Sequence, residues 1–122
     1  MSNDTSKMDV PPVLTHPSEV RALLAQLDFH PSRVLGQNFL IDRNILDILL
    51  AAADLRPDDA VVEVGPGLGV LTGALLERVA TITAVEKDAR LACYLRERFS
   101  NQPKLTLIHS DVLDCDLAAL FP

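Results

Sequence analysis

Apolar positions along the chain follow two different spacings, and their order is the first clue to its architecture. Val20, Leu23, Leu24 and Leu27 recur at i, i+3, i+4 and i+7. That is one face of an amphipathic helix over residues 15–28, opened by Thr15 and Pro17. Ile45, Leu46, Leu49, Leu50 and Ala53 repeat the pattern behind Asp42, a residue suited to cap a helix N-terminus. Residues 29–41 between them read as a loop, and Arg56-Pro57-Asp58-Asp59 as a turn. From residue 60 the spacing changes. Short apolar runs at 60–64, 81–86 and 104–109 alternate with helical patterns at 69–79 and 88–99, and Asn101-Gln102-Pro103 turns the chain before the last run. Two helices followed by β-α-β-α-β predict an α/β fold with right-handed crossovers and a parallel sheet. The expected division is a flexible polar tail over residues 1–14, a helical pair with its loop over 15–54, and an α/β unit over 55–122.

Composition narrows the possibilities. A chain of 122 residues is one small domain at most, and 48% apolar content suffices for a core. With four Phe, one Tyr and no Trp, that core is aliphatic. A net charge of −6 argues against broad, sequence-independent nucleic-acid binding by this chain alone, though not against a local basic face. Cys93 and Cys115 form no C-x-x-C pair, and His16, His30 and His109 are scattered, so no metal site is expected. The cysteines read as buried or incidental thiols of a reducing compartment. No apolar run approaches the roughly 18 to 20 residues of a membrane span. The polar start, Met-Ser-Asn-Asp-Thr-Ser, is unlike a signal peptide, which makes the cytoplasm the default expectation.

The chemistry concentrates in residues 61–69, Val-Val-Glu-Val-Gly-Pro-Gly-Leu-Gly. An apolar run passes through Gly65, Gly67 and Gly69 straight into a helical pattern of Leu68, Val70, Leu71, Leu75 and Leu76. A strand that turns through glycines into a helix is how an open α/β sheet forms a small-molecule site at its carboxyl edge. Glycine there admits positive φ and close approach of a ligand. Glu86 ends the next apolar run, where a carboxylate can accept from ribose hydroxyls or simply be solvated. The dinucleotide fingerprint G-x-G-x-x-G places its third glycine one residue later, and a P-loop needs Gly-Lys-Ser/Thr. No lysine lies between Glu63 and Lys87. G-x-G-x-G behind an acidic residue, Glu63, instead resembles the first motif of S-adenosylmethionine-dependent methyltransferases, whose ligand has no phosphate to cradle.

Four segments together carry a closer resemblance. Gly36-Gln37-Asn38-Phe39-Leu40, Glu63-Val64-Gly65-Pro66-Gly67-Leu68-Gly69, Ala84-Val85-Glu86-Lys87-Asp88 and His109-Ser110-Asp111-Val112 resemble the ribosomal RNA adenine dimethyltransferase family over residues 15–116. The resemblance implies a Rossmann-like sheet and S-adenosyl-L-methionine as cofactor. It implies dimethylation of two adjacent adenosines in small-subunit ribosomal RNA during ribosome assembly, by a monomer whose partner is that RNA and not a membrane. It places the loop carrying Asn38 and Leu40 over the cofactor. Asn38 would meet the amino-acid tail, or cap its loop, and Leu40 would give backbone contact and apolar cover. Gly65 would lie against the methionine portion and Glu86 would take both ribose hydroxyls. Asp111 would accept from the adenine amine while the Val112 N–H donates to a ring nitrogen; an Asp after a strand is also an ordinary turn or cap residue. Glu63 reads as an acceptor that orders the glycine loop, Asp114 and Asp116 as solvated loop charges, and Arg33, Arg43 and Lys87 as candidate contacts to RNA phosphates.

The resemblance also marks a difference. The family's next strand ends in Asn-Leu/Ile-Pro-Tyr, which holds the flipped target base. Here the only tyrosine is Tyr94, within a helical pattern, so no catalytic residue is assigned in this chain. The expectation is a truncated first half of the methyltransferase sheet, strands in the order 3-2-1, with strand 60–64 at an edge, and a chain that does not methylate RNA on its own. The alternative is a cofactor-binding half-domain without chemistry of its own. A nicotinamide-dependent oxidoreductase fails on the glycine spacing and on the lack of a hydride-transfer site.

Overall fold

The computed structural model describes residues 17–27 and 43–121. The expected tail, the loop over 29–41 and the capping residue Asp42 lie outside them. Helix α1 spans Pro17–Gln26, with proline in the first turn, where its missing N–H costs nothing. Leu24 is buried, and Leu23 and Leu27 pack beside it. Helix α2 spans Arg43–Ala53. Only part of its expected apolar stripe is covered: Leu46 is 1% exposed and Leu50 is partly buried, while Ile45 and Leu49 are 49% and 45% exposed. The helix packs through the single i, i+4 ridge of Leu46 and Leu50. Asp54 follows in the left-handed region at φ 48° and turns the chain away from the helix axis. The turn at 56–59 closes on itself: the Arg56 N–H donates to Asp59 Oδ2 at 2.8 Å and the Asp59 N–H to the Arg56 carbonyl at 3.0 Å.

The α/β unit matches the expected class. Strands β1 (Ala60–Val64), β2 (Thr81–Glu86) and β3 (Leu105–His109) form a parallel sheet in that order, with α3 (Val70–Leu76) and α4 (Ala89–Arg98) as the crossovers. Among the described residues β1 and β3 are the edges. Side chains alternate across a strand, so the register defines rows on one face. Val61, Ile82 and Leu105 form one row, and Glu63, Ala84 and Leu107 the next. The apolar members of the first row belong to the core, together with Leu75, Leu76, Leu91, Leu95 and Phe99 of the crossover segments and Leu24 and Leu46 of the first two helices. The same face continues upward to Glu86 and its register partner His109 at the carboxyl edge.

Helix α3 ends at Leu76, short of the 69–79 that the sequence pattern suggests. Its last turn tightens, with Arg78 N–H donating to the Leu75 carbonyl at 2.9 Å. The Lys104 ammonium then donates to the carbonyls of Leu76 at 3.1 Å and Val79 at 3.0 Å. A side chain from the residue before β3 thus satisfies acceptors that a longer helix would have used. Two short 3₁₀ turns after β3, Val112–Asp114 and Leu117–Leu120, carry no periodic signal in the sequence. Asp116, expected to be a solvated loop charge, caps the second by accepting from the Ala118 N–H at 3.1 Å. Cys93 is exposed on α4, contrary to a buried thiol, and Cys115 is half-buried; both are free. No helix among the described residues is long and apolar enough to cross a membrane.

Candidate functional site

Parallel register brings the carboxyl ends of all three strands to one edge. The ladder runs one step past each strand: the Gly65 N–H donates to the Val85 carbonyl at 2.9 Å, and the Ser110 N–H to the Glu86 carbonyl at 3.0 Å. Gly65, Glu86 and Asp111 therefore lie at or just past adjacent strand ends. Asn38 and Leu40 lie outside the described residues.

The glycines separate into different roles. Gly65, Gly67 and Gly69 all have positive φ, at 68°, 60° and 83°. A Cβ on Gly65 would meet nothing within 4 Å, so the backbone borders open space. A Cβ on Gly69 would lie 2.6 Å from Phe99 Cε2 and 3.1 Å from Leu95 Cδ2. Gly69 is required by the close packing of the α3 N-terminus on Leu95 and Phe99, and Gly65 by the positive φ of the turn. The turn itself is closed by the Gly69 N–H donating to the Pro66 carbonyl at 2.9 Å.

Glu86 is no solvated carboxylate: it is 4% exposed. Its Oε1 accepts from the Gly67 N–H at 3.1 Å and its Oε2 from the Asp88 N–H at 2.9 Å. It ties the glycine turn to the start of α4 and holds two fixed oxygens at the edge. Asp88, given no role by the sequence motifs, caps α4 by accepting from Arg90 and Leu91 N–H at 2.9 and 3.1 Å. An Asp between a strand end and a helical pattern is the signal that could have found it.

Glu63 sits one row below Glu86, 8% exposed, and accepts from the Thr72 hydroxyl at 2.5 Å. Burial pushes its carboxyl from 4.5 up to about 7; the Thr72 bond opposes this and the neighbouring Glu86 charge adds to it. Thr72 was missed, although a polar residue among Val70, Leu71, Leu75 and Leu76 is the mark of a buried partner. Asp111 does two things. Its Oδ1 caps the first 3₁₀ turn by accepting from the Leu113 N–H at 2.9 Å, and its Oδ2 faces the Lys87 ammonium at 3.4 Å. The Leu113 bond is the main cause that holds its carboxyl below the ordinary aspartate value, with Lys87 contributing. Lys87, expected as an RNA contact, thus has its ammonium on a carboxylate of the site. Arg43 begins α2 and is exposed; Arg33 lies outside the described residues.

The edge offers positioned carboxylates and open backbone, which suit hydroxyl and amine donors on a ligand. Among the described residues no group of three or more His, Cys, Asp or Glu could hold a metal ion. A separate cleft of about 570 Å³ lies at the opposite, amino edge, lined by Leu50, Asp54, Leu55, Glu77, Arg78 and Lys104 among others, away from these carboxylates.

Comparison with known proteins bears on the family and the fold. The profile of a family described as ribosomal RNA adenine dimethylase matches residues 28–121. A ribosomal RNA small subunit methyltransferase A from Corynebacterium efficiens is 50% identical over 105 residues, covering 82% of this chain and 36% of that protein. Among solved structures, a 23S rRNA methyltransferase is 42% identical with a TM-score of 0.60, covering 65% of this chain and 32% of its own. A dimethyladenosine transferase from Plasmodium falciparum is 26% identical, also with a TM-score of 0.60, covering 66% and 30%. The chain spans about a third of the length of these relatives.

Proposed function

The chain belongs to the ribosomal RNA adenine dimethylase family, and from that premise we propose that its carboxyl edge binds S-adenosyl-L-methionine for dimethylation of adjacent adenosines in small-subunit ribosomal RNA. The observation that carries the reading is Glu86, whose two oxygens are fixed by the N–H groups of Gly67 and Asp88 beside an open Gly65 backbone. A carboxylate has about four acceptor positions, so two are left to take a pair of ribose hydroxyls. The open space beside the Gly65 backbone leaves room for the methionine portion to approach. Asp111 accepts from the adenine amine, and the Val112 N–H donates to a ring nitrogen. Asn38 and Leu40 are assigned to the amino-acid tail and its cover by family resemblance. Glu63 and Thr72 order the glycine turn from beneath. When bound, the cofactor supplies an electrophilic methyl on a sulfonium, which leaves as a thioether while the accepting amine gives up a proton.

Small-subunit RNA is favoured over large-subunit RNA as substrate because the 50% identical relative is named for the former. The coarse test is calorimetric titration of the chain with S-adenosylhomocysteine: binding at one site is expected, and its absence would overturn the cofactor assignment. The fine test is nucleoside analysis of ribosomal RNA after deletion of the coding sequence. Loss of dimethyladenosine from the small subunit is expected. Loss from the large subunit alone would move the substrate to 23S-type RNA and leave the cofactor site standing.

A further inference from the structure

We propose that Glu63 and Glu86 are a buried acidic pair without a counter-ion, that the sulfonium of S-adenosyl-L-methionine supplies one, and that Glu63 releases a proton as this cation binds. The inference rests on the assignment of the methionine portion to Gly65 and of the ribose to Glu86. It makes Glu63 a positioning residue that favours the cationic cofactor over S-adenosylhomocysteine, whose sulfur is uncharged.

The two carboxylates lie in successive rows on one face of the sheet, and both are buried. Neither forms an ion pair among the described residues. The Lys87 ammonium is on Asp111, and the Lys104 ammonium is on carbonyls at the opposite edge. Two like charges buried together favour keeping one of them neutral. The hydrogen bonds decide which one. Glu86 takes two backbone N–H groups, whereas Glu63 takes the single hydroxyl of Thr72. Burial, with the Glu86 charge adding to it, pushes the Glu63 carboxyl up to about 7. The proton therefore sits on Glu63. The connectivity of the ligand fixes where its charge falls. The sulfur bonds both the ribose carbon and the methionine chain, so a molecule held at Glu86 and Gly65 has its sulfonium between them. Gly65 is two residues beyond Glu63, about 7 Å along the chain. A cation at that range lowers a carboxyl by about one pH unit. Release of a proton on binding means that affinity rises with pH, through the range just below 7.

The test is calorimetry on the full chain at neutral pH in phosphate and in Tris, whose different ionisation heats count the protons exchanged. Wild type is expected to release about 0.4 of a proton more with S-adenosyl-L-methionine than with S-adenosylhomocysteine, as a half-protonated group lowered by one unit does. In Glu63→Gln that excess should vanish while both ligands still bind. Asp88 and Arg90 at the start of α4, His109 beside Glu86, and the Lys87–Asp111 pair also border the two glutamates. They are common to both proteins and cancel, as does the amine of the ligand. Carboxyl carbon NMR reads the same group without a substitution. The Glu63 midpoint should fall from about 7 by about one pH unit with S-adenosyl-L-methionine, and not with S-adenosylhomocysteine. An excess that persists in Glu63→Gln, or a Glu63 midpoint left unmoved by bound S-adenosyl-L-methionine, overturns the inference and leaves the cofactor site intact. Failure of the wild type to bind either ligand overturns the cofactor assignment and this inference with it.

Discussion

Replacing Glu63 with glutamine should make the protein more stable at alkaline pH while changing little at acid pH. Glu63 is buried behind the glycine turn with the Thr72 hydroxyl on one oxygen. Its carboxyl titrates near 7 in the folded chain, against 4.5 when solvated, because burial disfavours the charged form. The folded state therefore holds a proton that the unfolded state has lost between those two values. The stabilisation this gives is fully present below 4.5 and is lost as pH rises through about 7. At roughly 1.4 kcal/mol per pH unit, the whole gap corresponds to about 3 kcal/mol, most of it falling above pH 5. The amide of the Glu63→Gln variant keeps the shape and the acceptor for Thr72 and does not titrate. In urea denaturation, the advantage of Glu63→Gln over wild type should grow by about 2–3 kcal/mol between roughly pH 5 and pH 8. Other carboxylates titrate alike in both proteins and cancel. A difference that stays constant within about 0.5 kcal/mol across that range would refute the reasoning, because the buried carboxyl would then not be titrating there.

The two end glycines of the turn should respond differently to alanine. Gly69→Ala meets both left-handed strain and the Phe99 ring, and should lose about 2–4 kcal/mol by urea denaturation. Gly65→Ala meets strain alone and should lose about 1–2 kcal/mol, yet weaken S-adenosylhomocysteine at least about tenfold in calorimetry at a temperature where it stays folded. Lys104→Met removes two hydrogen bonds from the end of α3 and should lose about 1–3 kcal/mol in the same denaturation assay, with ligand affinity unchanged. Glu86 holds backbone as well as the proposed ribose, so the ligand is the better place to cut: a 2′-deoxy form of S-adenosylhomocysteine should bind wild type about tenfold more weakly, and equal affinity would remove the ribose assignment.

The sequence was most legible where a local rule and the tertiary fold agree. The strand at 60–64, its glycines and the alternation after it follow from spacing alone, because a parallel sheet with helical crossovers repeats one pattern. The turn at 56–59 follows from Pro57 and the two aspartates. What spacing could not show is which face of a helix finds a partner. α2 has a full amphipathic stripe, but only Leu46 and Leu50 are covered among the described residues. It also could not show that Lys104, from the segment before β3, would take the carbonyls at the end of α3. That the carboxylates lie near one sheet edge was legible, since the ends of parallel strands meet by register. Their distant partners were not, because Thr72, Gly67 and Lys87 reach them through the fold rather than through the local pattern.

Those partners decide how the edge works. Each of these acids is held by a donor from another segment, Glu63 by Thr72 of α3, Glu86 by Gly67 of the turn and Asp111 by Lys87 of the neighbouring loop, while Asp88 and Leu113 add local bonds to Glu86 and Asp111. The loops after β1, β2 and β3 are thus joined through carboxylates by the chain's own bonds. Ordering loops at the moment of binding would cost affinity, and a site whose acceptors are already fixed avoids that cost. The acids differ in what they have left to give. Glu63 is buried beneath the turn and shares its charge poorly with water, so its bond to Thr72 shapes the loop. Glu86 lies at the edge with each oxygen on a backbone N–H, and Asp111 has a side chain still 29% exposed. Both glutamates are buried, at 8% and 4% exposure, and they differ in what they hold: Glu63 takes the Thr72 hydroxyl beneath the turn, and Glu86 takes two backbone N–H groups at the edge. The row, which parallel register sets, separates the two roles.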